Sequence, residues 1–312
     1  MALKHGIILL KKCRPINLLT IILLQCFIYF FLFYNILESF NIGLRLSLTD
    51  LMLLTIDLAF IMGAGYLIND LYDLKTDQAH SNKTSLEETG VPLIYFKRTY
   101  WIISTLGMLL TLYLANKYEE WALSLLYPVG SYILYIYAKK LKSTILLGNL
   151  LIAVLCIFPT LMIYLAEVPG ILKLKASSPT AFQFFTRILS FYLLFSFLST
   201  LIREIIKDLE DKEADKQAEL TTFANSYPLR VVLRVSKVLI LLFIFVQLCF
   251  CLYLFLEGLY LGVLFFIICI FPMTIFSLLK IRSAKTESDF NKLSKLYKLI
   301  ILTGILLLVF IR

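Results

Sequence analysis

Nine long apolar runs dictate how this chain can fold. They lie at about 16–37, 49–71, 99–115, 121–138, 145–166, 184–206, 229–255, 259–279 and 296–311. Several approach or exceed the ~18 apolar residues that mark a membrane-spanning helix. Across 312 residues, 60% are hydrophobic and only 16% charged, far too apolar for a soluble domain of this length. The expected fold is therefore all-α, a polytopic membrane protein of about nine transmembrane helices. The third and fourth runs are short and separated only by residues 116–120.

The basic residues orient the runs. With the N-terminus in the cytoplasm and sides alternating, cytoplasmic segments hold 24 of the 30 Lys and Arg. The tail and the 72–98 loop carry four each, 139–142 three, 203–237 seven and 280–298 six. The opposite side holds six: Arg45, Lys117, Lys173, Lys175, Arg187 and Arg312. Such a split fits the positive-inside rule. It also accounts for the net charge of +9, which therefore does not point to nucleic acid. Of six cysteines, five lie inside apolar runs and none forms a C-x-x-C pair, so they read as small buried hydrophobes. The basic N-terminus shows no small-residue cleavage site and reads as a retained first helix.

Two acidic stretches follow directly on apolar runs, both on the cytoplasmic side of this topology. One is Asn69-Asp70-Leu71-Tyr72-Asp73-Leu74-Lys75-Thr76-Asp77; the other runs from Arg203 to Asp215. In each, three aspartates fall at i, i+3 and i+7: Asp70, Asp73 and Asp77, then Asp208, Asp211 and Asp215. On a continuous helix that spacing stacks the carboxylates on one face, where they repel unless something positive neutralises them. Hard oxygen ligands of this kind suit Mg²⁺, which binds through a few carboxylates and substrate phosphate oxygens. The plainer reading is a solvated helix end, and two matching stretches on one side count against it. Arg203 and Glu204 sit at the end of an apolar run, where charge is expensive. An i,i+4 ladder explains Lys207, Lys212 and Glu213. The two stretches lie 138 residues apart, which hints at an internal pseudo-repeat. His5 and His80 have no partners that suggest a site. The small residues Gly63, Ala64 and Gly65 permit close helix packing.

N-D-x-x-D-x-x-x-D after the second run and D-x-x-D-x-x-x-D after the sixth resemble the UbiA-type intramembrane prenyltransferase superfamily. The run from Arg203 to Asp215 is similar to the branch that includes digeranylgeranylglyceryl phosphate synthases. The segments Tyr132 to Lys140 and Leu147-Gly148-Asn149-Leu150 look like that family's connection between spans four and five. The resemblance implies one domain over 1–312, with about nine helices around a central cavity and cytoplasmic cap loops. It implies Mg²⁺ held by Asn69, Asp73 and Asp77 with Asp208, Asp211 and Asp215. Asp70 is adjacent to Asn69 rather than one turn away, which can turn it from the ligand set. The implied partners are an isoprenyl diphosphate, a membrane-associated acceptor and the bilayer, with no obligate protein partner. Candidate diphosphate contacts are Arg203, Lys207 and Lys140. Tyr66, Tyr72, Tyr132, Tyr135 and Tyr137 lie at the depth of an aromatic wall for an allylic cation. Each is also open to the reading of an ordinary interfacial tyrosine. The implied location is a bacterial inner (plasma) membrane, with the N-terminus and active site cytoplasmic.

The chain departs from the family pattern in the loops. Asn82-Lys83-Thr84-Ser85 lacks an expected Arg-Pro pair, Ala214 replaces a Gly, and Thr221-Thr222-Phe223-Ala224 replaces a Thr-Leu-Pro run. The acceptor is therefore open between a geranylgeranylglyceryl phosphate-type lipid and an aromatic ring such as a hydroxybenzoate or naphthoate. A cation-coupled transporter would also use intramembrane carboxylates, and an inactive scaffold would tolerate the loop changes. Single cysteines placed at 78–96 and 212–228 are expected to react with an impermeant thiol reagent only from the cytoplasmic side. Labelling of either loop from outside overturns the topology.

Overall fold

A computed structural model describes residues 2–74 and 86–311, and all the regular structure among them is helical. A short α1 (Ala2–Lys12) precedes α2 (Pro15–Ser39) and α3 (Leu48–Tyr72). Then come α4 (Leu93–Lys117), α5 (Trp121–Lys139), α6 (Leu147–Ala166), α7 (Val168–Ser177) and α8 (Pro179–Glu210). The chain ends with α9 (Lys212–Gln217), α10 (Leu229–Leu256), α11 (Tyr260–Lys280) and α12 (Glu287–Phe310). Asp77, His80 and 82–85 lie outside the described residues, as does most of the first cap loop.

Among the described residues, eight helices are long and apolar enough to cross a membrane. The ninth expected span, α4, has 25 residues, ~37 Å at 1.5 Å per residue, which is ample length. Its Tyr, Trp, Ser and Thr residues hold its hydropathy below that of the other eight. The apolar pattern shows the bilayer as solvent. On α10, Ile240, Phe243 and Leu254 are buried, while Val238, Leu241, Phe245, Leu248 and Leu252 are exposed on the opposite face. A soluble helix would carry polar groups there. Five of the six cysteines are only partly buried, and Cys13 alone is fully buried.

The helices close a ring. α2 packs on α3, α3 on α5, α5 on α6, α6 on α8, α8 on α12, and α12 back on α2. α4 covers α3 and α5 from outside, while α10 and α11 cover α8 and α12. Small residues set the close approaches. A Cβ on Gly65 would sit 2.7 Å from a Leu134 methyl, and one on Gly304 would sit 2.5 Å from the Phe195 ring. α6 breaks at Cys156 and Ile157, just before Pro159, whose ring excludes a regular turn.

The end of the ring away from the acidic stretches is pinned by buried carboxylates. Glu167 is fully buried and accepts backbone N–H bonds from Arg45 (2.9 Å) and Leu46 (2.8 Å). Burial pushes its pKa up, and those two N–H groups oppose the shift. Asp50 accepts from Lys117 (2.7 Å) and the Tyr118 hydroxyl (2.6 Å), and Arg45 donates to the Tyr118 carbonyl. Glu167 thus fastens the α2–α3 loop to the α6–α7 junction. Glu167→Ala leaves two buried N–H groups without acceptors. It is expected to cost roughly 2–4 kcal/mol, while Glu167→Gln, which keeps one acceptor oxygen, costs less. Thermal melting in detergent checks the order.

Candidate active site

Both acidic stretches end their helix at the middle aspartate, in the same way. Asp73 closes α3 with φ −88° and ψ 9°, its N–H donating to the Asn69 carbonyl at 2.9 Å. Asp211 closes α8 with φ −88° and ψ 1°, its N–H donating to the Lys207 carbonyl at 2.9 Å. In each case the side chain one turn back also donates to that aspartate. Asn69 Nδ2 lies 2.5 Å from Asp73 Oδ2, and Lys207 Nζ lies 2.9 Å from Asp211 Oδ1. This corrects the expectation of three carboxylates stacked on one continuous helix. In the second stretch the chain turns after Asp211, so its third carboxylate is set on a new element. Asp215 lies on α9, buried, with its N–H donating to the Asp211 carbonyl. Asp77 lies outside the described residues.

The connection from α5 to α6 joins the two helix ends. Lys142 Nζ lies 2.5 Å from Asp73 Oδ2. Ser143 Oγ accepts from the Thr221 N–H at 2.9 Å, and Asn149 Nδ2 donates to Asp208 Oδ2 at 3.0 Å. Gly148 makes this possible, because a Cβ there would sit 2.7 Å from the Leu141 carbonyl oxygen. Tyr137, two residues before the end of α5, lies within electrostatic reach of Asp73, Asp208, Glu204 and Arg14. Residues of both stretches therefore meet around one ring.

Cations rim this place. Arg203 pairs with Glu204, and its Nε is buried without a hydrogen-bond acceptor among the described residues. Lys207 also bonds Glu210 at 3.0 Å. Lys298 on α12 lies within electrostatic reach of Arg203, Lys207 and Arg14. Arg14 stacks 4.6 Å over the Tyr66 ring, whose hydroxyl accepts from Asn17 at 3.2 Å. Asp70 is turned from the other motif residues and is held by Arg14 (3.1 Å) and Lys12 (3.5 Å).

Two expected contacts are placed elsewhere. Lys140 is exposed just past α5, and Lys142 reaches Asp73 in its stead. Tyr135 faces the Tyr72 hydroxyl (3.4 Å) and Lys139 (3.2 Å) in a cavity of about 670 Å³ between α3, α4 and α5. Neither Asn69 nor any aspartate lines it. Sequence reading missed Lys142, Arg14, Asn17 and Lys298. Lys142 was visible only as one of three basic residues at 139–142.

Among the described residues, no three of His, Cys, Asp and Glu come close enough to hold an ion by themselves. The donors are nonetheless of the right kind for a hard cation: carboxylate and carboxamide oxygens, with ammonium groups already seated against Asp73 and Asp211.

An all-helical membrane protein with two acidic helix ends joined by a basic turn defines the class. Residues 23–299 match the UbiA prenyltransferase family, and the chain belongs to it. It is 28% identical over 202 residues to the digeranylgeranylglyceryl phosphate synthase of Saccharolobus solfataricus, covering 65% of each chain. It thus spans just under two thirds of that relative's length. A solved digeranylgeranylglyceryl phosphate synthase structure shares the fold with a TM-score of 0.62 at 20% identity, covering 98% of this chain and 99% of its own. A UbiA homologue from Archaeoglobus fulgidus, solved with DMAPP and Mg²⁺, gives 0.56 at 15% identity, covering 96% and 99%.

Gly148→Ala is expected to push the 141–143 turn away and draw Lys142 from Asp73, costing roughly 1–3 kcal/mol as an overpacked contact. Thermal melting measures it, and an unchanged midpoint contradicts the close approach.

Proposed function

We propose that this protein transfers an isoprenyl group from an isoprenyl diphosphate to the hydroxyl of a phosphoglycerol lipid, as a digeranylgeranylglyceryl phosphate synthase does. The observation that carries this reading is the pair of matching acidic helix ends, tied through Lys142, Ser143 and Asn149 and rimmed by cations. The named relative and the neighbour solved with DMAPP and Mg²⁺ support it.

In the reaction, the allylic C–O bond breaks and its electron pair leaves with the diphosphate. The acceptor hydroxyl oxygen then bonds the carbon and releases its proton. Lys142, Lys207 and Arg203 stabilise the negative charge that grows on the leaving group. Tyr137 offers an aromatic face to the allylic cation and excludes water from it. Asn69, Asp73, Asp77, Asp208, Asp211 and Asp215 would hold Mg²⁺, which would supply Lewis-acid neutralisation of the diphosphate. Lys142 and Lys207, seated against Asp73 and Asp211, would have to release those carboxylates for them to serve as ligands. Lys298, beside Arg203 and Lys207, adds positive charge beyond that needed by the diphosphate, which favours an acceptor that carries phosphate.

The chain is read as one domain in a plasma membrane, with its N-terminus and site cytoplasmic; the charge split supports that side. The similar named relatives are archaeal, so the bacterial source expected from sequence has no support from them.

Asp73→Asn and Asp211→Asn keep the shape and the hydrogen bonds but remove one charge each. Each is expected to lower turnover by at least ~10²-fold, the scale of losing one transition-state charge contact. The double variant should be little worse than the poorer single, because the two ends act as a unit. Excess chelator should abolish turnover. The assay follows labelled geranylgeranyl diphosphate with geranylgeranylglyceryl phosphate or 4-hydroxybenzoate as acceptor, in detergent. Near-wild-type turnover of either single variant, with folding intact, refutes the shared site; transfer to the benzoate alone refutes the lipid acceptor.

A further inference from the structure

The cavity between α3, α4 and α5 takes no part in the site above. Its volume of about 670 Å³ is that of a small-molecule site. It lies at the inner ends of α3 and α5, beside the start of α4. Asp73, next to Tyr72 in sequence, is turned from it and held by Asn69 and Lys142. Ile68, Leu71 and Leu74 form an apolar wall, with Leu93 from α4. Trp101 and Tyr132 also line it and are 67% and 64% exposed. Both stand more than a turn inside spanning helices, so the cavity opens toward lipid.

The polar groups of this cavity are donors. Lys97 lines it and has no ion pair or hydrogen bond among the described residues. Lys139 Nζ donates to the Tyr135 hydroxyl at 3.2 Å and lies 5.5 Å from the centroid of that ring. This bond uses one of the three N–H groups of Lys139. The Tyr72 and Tyr135 hydroxyls are 3.4 Å apart, long for an O–H···O bond, so both remain open to a stronger acceptor. Arg98 and Lys140, both exposed, add positive charge at the same helix ends. No Asp or Glu lines the cavity among the described residues. Two ammonium groups and two hydroxyls thus share one apolar cavity with no anion to meet them.

We propose that this cavity binds one anionic phospholipid from the leaflet at the motif end, cytoplasmic by the charge split. Its phosphate meets Lys97, Lys139 and the hydroxyls of Tyr72 and Tyr135, and its acyl chains lie against Leu71, Leu93 and Trp101. Phosphate oxygens accept charge-assisted bonds from ammonium and hydroxyl donors. Basic pockets between spanning helices on the cytoplasmic side suit anionic head groups. The Trp and Tyr side chains fit the depth at which such rings sit among head groups. A soluble anion would leave the apolar walls uncovered, and a neutral lipid would leave Lys97 unanswered. The cavity does not open onto the motif carboxylates, so the bound lipid is not a substrate. It joins the inner ends of three helices, one of which carries Asn69 and Asp73.

The test uses the two tryptophans of the full-length protein, Trp101 in the cavity and Trp121 at the opposite end of α5. Trp121→Phe isolates the first and Trp101→Phe the second; both positions are exposed, so folding is kept. In phosphatidylcholine nanodiscs, brominated phosphatidylglycerol should quench Trp101 several-fold more than brominated phosphatidylcholine at the same mole fraction. Trp121 should show no such preference. Lys97→Gln with Lys139→Gln should abolish the preference at Trp101, and Lys97→Gln alone should lower it. Inorganic phosphate added at constant ionic strength should leave it unchanged. Equal quenching of Trp101 by the two lipids, or the same preference at Trp121, overturns the proposal. A preference that survives loss of both lysines overturns it as well. Loss of the preference on adding phosphate means that the site takes a free anion and overturns the lipid as its occupant.

Discussion

A carboxylate at the edge of a bilayer must be answered by a donor, and at the acidic end of this protein the answers come from one short connection. Asp73 and Asp208 belong to helices far apart in sequence. Lys142 reaches the first and Asn149 the second, while Ser143 holds the segment after the second stretch. Because burying an unpaired charge costs several kcal/mol, these bonds locate α3 and α8 relative to each other. Apolar packing in lipid gives no comparable register, since lipid tails satisfy an apolar helix face as well as a neighbour does. The relative height of the two motifs is thus fixed by polar contacts.

The shared geometry of the two helix ends has an electrostatic cause. Three carboxylates at i, i+3 and i+7 on one unbroken helix would repel along its whole last two turns. They would also crowd the negative end of the helix dipole, where anions are disfavoured. Ending the helix at the middle aspartate moves Asp215 of the second stretch onto another element, and in both stretches the residue one turn behind that aspartate is a donor, Asn69 or Lys207. The near-identical dihedrals of Asp73 and Asp211 give the pseudo-repeat in the motifs a structural counterpart.

Much of this was legible in the sequence. The apolar runs located the spans, because a bilayer requires length and hydropathy and little else. The motif spacing pointed to paired acidic ends on one side. What escaped was rotational. Tyr135 and Tyr137 are two residues apart, which is ~200° around a helix. They therefore face opposite ways, one toward Tyr72 and Lys139 and the other toward the carboxylates. An all-apolar helix carries no polar face from which to read that rotation. Lys140 and Lys142 differ for another reason: the helix stops at Lys139, and the turn that follows decides which ammonium group points inward. The break after each middle aspartate escaped because i, i+3, i+7 is itself a helical spacing.

The two ends of the ring use the same residue types to different effect. Away from the motifs, Glu167 is held by two backbone N–H groups, and Asp50 by Ser47, Lys117 and Tyr118 together. Backbone donors cannot swing away, so Glu167 is a fixed anchor. At the motif end the ions against Asp73 and Asp211 are the tips of Lys142 and Lys207, on four-carbon stems with wide rotamer freedom. Such partners can be exchanged for another cation without moving a helix. The carboxylates are then kept neutralised in the resting protein yet remain available, and the lysines they release are already beside the anion they would next contact. The fixed hold on Glu167 and the exchangeable pairing of Asp73 and Asp211 follow from a single difference, whether the donor is main chain or the end of a flexible side chain.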